Sequence, residues 1–118
     1  MNSWFNSSIS TTSVSDTIKK VACGSFHTIF LTHLGIIYAC GKNTSNELGT
    51  KDAKENEFTP ILVKELKNRK VTDVGAGDFS ACITSRKELL MWGLSAVGVP
   101  SSDKSKSIVK YDMDNQLE

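Results

Sequence analysis

Ile18-Lys19-Lys20-Val21-Ala22-Cys23-Gly24-Ser25-Phe26-His27 and Val71-Thr72-Asp73-Val74-Gly75-Ala76-Gly77-Asp78-Phe79 follow one pattern. Each has an apolar residue, two polar ones, Val, two small residues, Gly, a polar residue and Phe, at an offset of 53. Beyond this the second copy reads one residue shorter, without a counterpart to His27, and the offset becomes 52. Thr28-Ile29-Phe30-Leu31-Thr32 then matches Ser80-Ala81-Cys82-Ile83-Thr84, and Ile37-Tyr38-Ala39-Cys40-Gly41 matches Leu89-Leu90-Met91-Trp92-Gly93. Three short apolar segments in one order, with Gly at the same joints, define an internal repeat.

The segments are rich in Val, Ile, Phe, Tyr and Cys and are bounded by Gly or charged residues, which predicts short strands joined by tight turns. Gly24 and Gly77 fall between strands, where a positive φ would let the chain reverse without a Cβ clash. Asn46 falls opposite Gly98, and both residue types tolerate a left-handed backbone. Pro60-Ile61-Leu62-Val63 reads as a fourth strand opened by Pro60, where a missing N–H does least harm. Thr50 to Phe58 reads as a charged surface loop, and Glu65 to Lys70 as a turn into the next unit. Four strands per unit and a period near 50 predict blades of a β-propeller.

Working outward, the 118 residues are 39% hydrophobic and 23% charged, which excludes collagen-like and polar disordered classes. Fourteen basic against thirteen acidic residues leave a net charge of +1, too little to draw the chain to nucleic acid, chromatin or an anionic membrane. Cys23, Cys40 and Cys82 form no CxxC pair and sit in apolar runs, so they read as reduced core thiols. With no signal-like stretch, the expected setting is cytoplasmic or nuclear, not secreted. The sequons at Asn6 and Asn43 then read as chance matches. Residues 1–17 hold nine Ser or Thr and read as a disordered tail. The first unit spans about 18–69 and the second about 70–98. Residues 99–118 read as a polar tail or the start of a degenerate third unit, with Ile108-Val109 as their one strand-like pair.

Val21-Ala22-Cys23-Gly24-Ser25-Phe26-His27-Thr28, Leu31 to Asn43, and Glu47-Leu48-Gly49 resemble the regulator of chromosome condensation (RCC1) repeat. Pro60-Ile61-Leu62-Val63 resembles that family's P-x-x-V segment, and Val71 to Gly93 repeats the first part. The resemblance covers about 18–98. Its repeat-forming positions map onto Gly24, His27, Gly35, Gly41, Asn43, Leu48, Gly49, Gly77, Trp92 and Gly93. Cys40 departs from the usual Trp that Trp92 retains, and Lys87-Glu88 replaces a Gly-x turn. The resemblance implies an all-β fold: two adjacent four-stranded antiparallel blades of an RCC1-like β-propeller, an incomplete ring. It also implies a structural His27, packed and hydrogen-bonded within its blade.

No catalytic, cofactor or metal constellation is expected. His33 reads as solvated, and neither His has a triad-like or metal-ligand companion. Gly75-Ala76-Gly77-Asp78-Phe79-Ser80 imitates a phosphate loop, but a strand follows where the motif needs a helix. Phe26, Phe79, Tyr38 and Trp92 recur at matched positions and read as core. Lys64, Lys67, Arg69 and Lys70, interrupted by Glu65, read as a solvated turn. The expected function is a non-catalytic protein-interaction module with a docking or scaffold role. The alternative is part of a guanine-nucleotide exchange factor for a Ran-like GTPase, the activity of the family's founding member. At this length the ordered stretch holds strands for only two blades, while repeat arrays generally need about three units. Two exposed apolar blade faces and marginal stability alone are therefore expected, with further blades or self-association needed to cover those faces.

Overall fold

The computed structural model describes residues 16–93 and 108–111. Four strands, β1 (Ile18–Cys23), β2 (His27–Thr32), β3 (Ile37–Lys42) and β4 (Asn56–Leu62), pair antiparallel in chain order to form one sheet. After a 3₁₀ turn over Lys64–Leu66, β5 (Val71–Ala76), β6 (Phe79–Thr84), β7 (Leu89–Gly93) and β8 (Ile108–Tyr111) repeat the arrangement in a second sheet. The fold is all-β, two stacked four-stranded blades that do not close a ring.

Side-chain alternation places the core between the sheets. Ile29 and Leu31 of β2 and Ile37 and Ala39 of β3 point from the first sheet toward the second. Val74, Cys82, Leu90 and Trp92 answer from the second, and Leu48, Val63, Leu66 and Val71 close the ends. On the side of the first sheet turned away from the second, Val21 and Leu62 are exposed while Tyr38 and Thr32 are buried.

Several sequence expectations are corrected. β4 starts at Asn56, not Pro60: Lys42 pairs with Asn56 and Gly41 with Glu57, then a bulge precedes Ala39–Ile61 and Tyr38–Leu62. Pro60 lies in that bulge, on an edge strand where no ladder hydrogen bond is asked of it. The polar run was misread as loop because an edge strand can turn most side chains to solvent; Phe58 is 93% exposed there. Ile108–Tyr111 is neither tail nor third unit; it pairs with β7 as the fourth strand of the second blade. Order begins before residue 18, since buried Asp16 accepts from the Thr17 and Leu34 amides through Oδ1. The rest of the expected N-terminal tail lies outside the described residues.

The one-residue offset change also falls elsewhere. Phe79 pairs with Gly93 just as His27 pairs with Gly41, so Phe79 is the register counterpart of His27. The residue gained or lost lies in the preceding turn, Ser25-Phe26 against Asp78. Phe26 is 71% exposed and no core residue, whereas Tyr38 and Trp92 are buried. Of the thiols, Cys82 is buried and pushed up to about 12, chiefly by burial, and burial also raises half-buried Cys40. Cys23 is exposed, contrary to expectation, because its side of β1 faces away from the second sheet.

Gly24 and Gly77 do not have positive φ. The left-handed positions are Gly35, Gly41, Gly49 and Gly93, with Asn46 and Lys87 both at φ 63°. Asn46 takes the conformation expected of it; Gly98 lies outside the described residues. Lys87 holds in the second β-turn the place of Gly35 in the first, its amide bonding the Thr84 carbonyl as that of Gly35 bonds Thr32. A side chain there strains the backbone. Exposed Lys87 therefore gains from losing its Cβ: Lys87→Gly should stabilise the fold by roughly 0.5–1 kcal/mol, read as a higher urea midpoint at unchanged slope.

Candidate functional site

The junction between the blades is built around the loop after β3. Asn43 organises this loop: its Oδ1 accepts the Leu48 amide at 3.0 Å and its Nδ2 donates to the Ala53 carbonyl at 3.4 Å. Asn46 and Gly49, both left-handed, turn the chain so that buried Leu48 enters the core and the Glu47 carbonyl points at the second blade. That carbonyl accepts two side-chain hydrogen bonds, from Ser80 Oγ at 2.7 Å and from Trp92 Nε1 at 2.9 Å. Gly49 passes so close beneath the indole that a Cβ there would lie 2.6 Å from Trp92 Nε1.

His27 completes the junction. Its Nε2 lies 2.8 Å from Ser80 Oγ, so it bonds across the blades and not within its own, as the resemblance had implied. Ser80 has one proton, and the Glu47 carbonyl can only accept it. Nε2 must therefore carry the hydrogen that Ser80 Oγ accepts. This order is the reverse of a hydroxyl nucleophile passing its proton to an imidazole base. The arrangement holds two sheets; the buried hydroxyl and ring are spent on each other and on the backbone.

Further bonds cross the junction at a separation of 53 residues: Lys20 Nζ to Asp73 Oδ1 at 2.5 Å, and Ser25 Oγ to Asp78 Oδ1 at 2.6 Å. Lys20 holds the Asp73 carboxyl below the ordinary carboxylate range, mainly by hydrogen bonding. The Ser25 amide donates to the Gly77 carbonyl, and a Cβ on Gly24 would stand 2.5 Å from that oxygen. Gly77 occupies the same repeat position, yet a Cβ there meets nothing. Gly35 abuts Val71 and accepts its amide, while Gly41 and Gly93 pack against the starts of β2 and β6.

On the loop side, Ser25, Phe26, His27, Lys42, Ser45, Glu47, Gly77 and Asp78 line a cleft of about 240 Å³. Phe26 stands at its edge with Lys42 Nζ 5.2 Å from the ring centroid. The sequence reading missed Phe26 as a surface residue; the extra residue in its turn was the available signal. Among the described residues no three His, Cys, Asp or Glu side chains gather as a metal-binding group. The Gly75–Asp78 segment passes from β5 straight into β6, a strand and not a helix. The basic cluster is divided: Lys64 pairs with Asp52, Arg69 with Glu88, and Glu65 accepts the Lys51 amide.

Stacked four-stranded meanders of this kind are propeller blades. Profiles described as the regulator of chromosome condensation (RCC1) repeat match residues 35–83 and 18–47, together more than half of the sequence, and the chain belongs to that family. The chain is 35% identical over 82 residues to the X-linked retinitis pigmentosa GTPase regulator of Canis lupus familiaris, covering 69% of this chain and 8% of that protein. Human WBSCR16 shares the fold with a TM-score of 0.69 at 24% identity, over 81% of this chain and 25% of that one. Yeast RCC1 (Prp20), solved with Kap60, superposes with a TM-score of 0.55 at 26% identity, over 64% of this chain and 19% of its own. This chain thus spans less than a tenth of the retinitis pigmentosa regulator's length.

Two measurements test the junction. Gly24→Ala should cost about 1–3 kcal/mol by overpacking, whereas Gly77→Ala at the same repeat position should be close to neutral in urea denaturation. Burial, the largest influence, lowers the His27 pKa below the ordinary 6.5, against opposing contributions from Glu47 and the Phe79 backbone. The unfolded chain therefore binds more protons than the folded one as pH falls through the ordinary value, and stability drops in that window. The melting temperature should fall between about pH 7.5 and about pH 5.5, and His27→Gln, which keeps a donor for Ser80, should flatten that slope.

Proposed function

We propose that the chain is a non-catalytic protein-docking module of two RCC1 blades, acting in the cytoplasm or nucleus and binding through the loop side of the blade junction. The observation that carries this reading is Phe26, a large ring 71% exposed at the edge of a cleft. It sits on a turn anchored across the blades by Ser25, so little order is lost when a partner covers it. Rigid aromatic anchors ringed by polar groups dominate protein–protein affinity. Lys42 beside the ring supplies a charge that favours a partner offering a carboxylate near an apolar side chain.

A second reading, nucleotide exchange on a small GTPase, draws on the likeness to yeast Prp20, whose reported structure is described with its binding to Gsp1p and histones. Docking is favoured here because the junction's polar side chains are used internally and Phe26 is left to face outward.

The test begins with a photo-cross-linking residue at position 26 to identify the protein that meets it, followed by titration with that protein purified. Phe26→Ala should weaken binding roughly tenfold or more, and Lys42→Glu should weaken it further for an acidic partner. Unchanged affinity in both variants would overturn the proposal. Acceleration of nucleotide release from a panel of GTPases would establish the second reading in its place.

A further inference from the structure

Thr59-Pro60 is the single step in the sequence at which a hydroxyl residue precedes proline, since the other proline, Pro100, follows Val99. The fold places this step in β4, the edge strand of the first blade. Gly41 pairs with Glu57 and Ala39 with Ile61, so Phe58, Thr59 and Pro60 together stand opposite Cys40 alone. Thr59 is exposed there, whereas Thr32, Thr50, Ser80 and Thr84 are buried. We propose that Thr59 is a phosphate-acceptor site for a proline-directed protein kinase.

A kinase takes its substrate as an extended chain. Pro60 disfavours helical backbone at Thr59, so the residue keeps an extended conformation whether or not β4 stays on its sheet. Pro60 also has no N–H to leave unpaired in an apolar pocket, which lets such a pocket select it over other residues. No residue of β4 is buried, so the strand can leave β3 locally without opening the core. The γ-phosphoryl group of a magnesium-bound nucleoside triphosphate then passes to Thr59 Oγ1. The Oγ1–P bond forms as the bond from phosphorus to the β–γ bridging oxygen breaks, the hydroxyl proton goes to the kinase's carboxylate base, and the nucleoside diphosphate leaves.

The edge stays accessible in a longer stack of blades, because blades meet through their sheet faces. The first blade already covers the side of the second that corresponds to the far side of the first. In the second blade Val109 and Lys110 hold the places of Ile61 and Leu62, and under that cover Val109 is only half-buried and Lys110 is exposed. A blade stacked before the first would leave β4 open in the same way. Thr59 lies outside the residues lining the loop-side cleft, so its modification is independent of docking there. The phosphate adds about two negative charges beside Glu55 and Glu57, in a chain whose net charge is only +1, and makes this edge strongly anionic.

The test incubates the full 118-residue chain with MgATP and, in turn, a mitogen-activated kinase, a cyclin-dependent kinase and a kinase selective for basic residues. Mass spectrometry locates the phosphate. At least one of the two proline-directed kinases should modify Thr59, and Thr59→Ala should abolish that signal. Pro60→Ala should slow it roughly tenfold or more. Circular dichroism checks the variants, and a peptide of residues 52–66, with and without Pro60→Ala, repeats the comparison free of folding. An unmodified Thr59 in the folded chain overturns the proposal even where the peptide is a substrate, because the fold then shields the site. So does modification by all three kinases alike, or a rate that Pro60→Ala leaves unchanged in chain and peptide.

Discussion

One backbone carbonyl, that of Glu47, fixes how the two blades meet. It accepts from Ser80 Oγ and Trp92 Nε1 at once, and through Ser80 it reaches His27 on the sheet of its own blade. The oxygen can stand there only because Asn43 ties the loop, Asn46 and Gly49 adopt left-handed backbone, and Gly49 leaves room for the indole. Conformational demands in one repeat are thus set by a side chain in the next.

Magnitudes separate what holds the blades from what aligns them. Among the described residues twelve buried side chains form the core, and burying a single large one is worth about 1.5–3 kcal/mol, so apolar contact supplies most of the cohesion. A hydrogen bond adds about 0.5–1.5 kcal/mol net, but a buried acceptor left unmet costs about 1–3 kcal/mol. A blade that slid along its neighbour could keep much of its apolar contact. It could not keep the Glu47 carbonyl satisfied. The exposed Lys20–Asp73 pair sits in water, where such pairs give about 0–1 kcal/mol, and has little say in the register.

The blade architecture was legible because period-two alternation and glycine joints survive in both copies. Trp92 and the Asn43–Gly49 loop were legible as repeat positions, but their pairing was not, since contacts 45 and 33 residues apart leave no local pattern. β4 and β8 were legible only in part, as Pro60-Ile61-Leu62 and the Ile108-Val109 pair. As an edge strand β4 turns most of its side chains to solvent, so its polar start, Asn56-Glu57, carries no apolar signal. Gly24 was read as a conformational glycine when its constraint is the next blade's Gly77 carbonyl, a neighbour no single repeat reveals. Phe26 was matched to Phe79 because both follow a Gly and a polar residue. Only the pairing of Phe79 with Gly93 shows which residue is extra.

That extra residue explains why the loop side of the first blade differs from that of the second. In the second blade the Gly77 amide bonds the Phe79 carbonyl across a single intervening residue. In the first, the Gly24 amide bonds the His27 carbonyl across two, with the strands on either side in the same register. The added residue cannot enter the ladder without shifting every side chain of β2 to the wrong face, so it is expelled at the turn. Ser25 is drawn inward to Asp78 and Gly77, which leaves Phe26 as the residue displaced outward. A one-residue insertion thus leaves the core untouched and converts a turn into a surface feature, a change that a repeat array can absorb wherever its hairpins end.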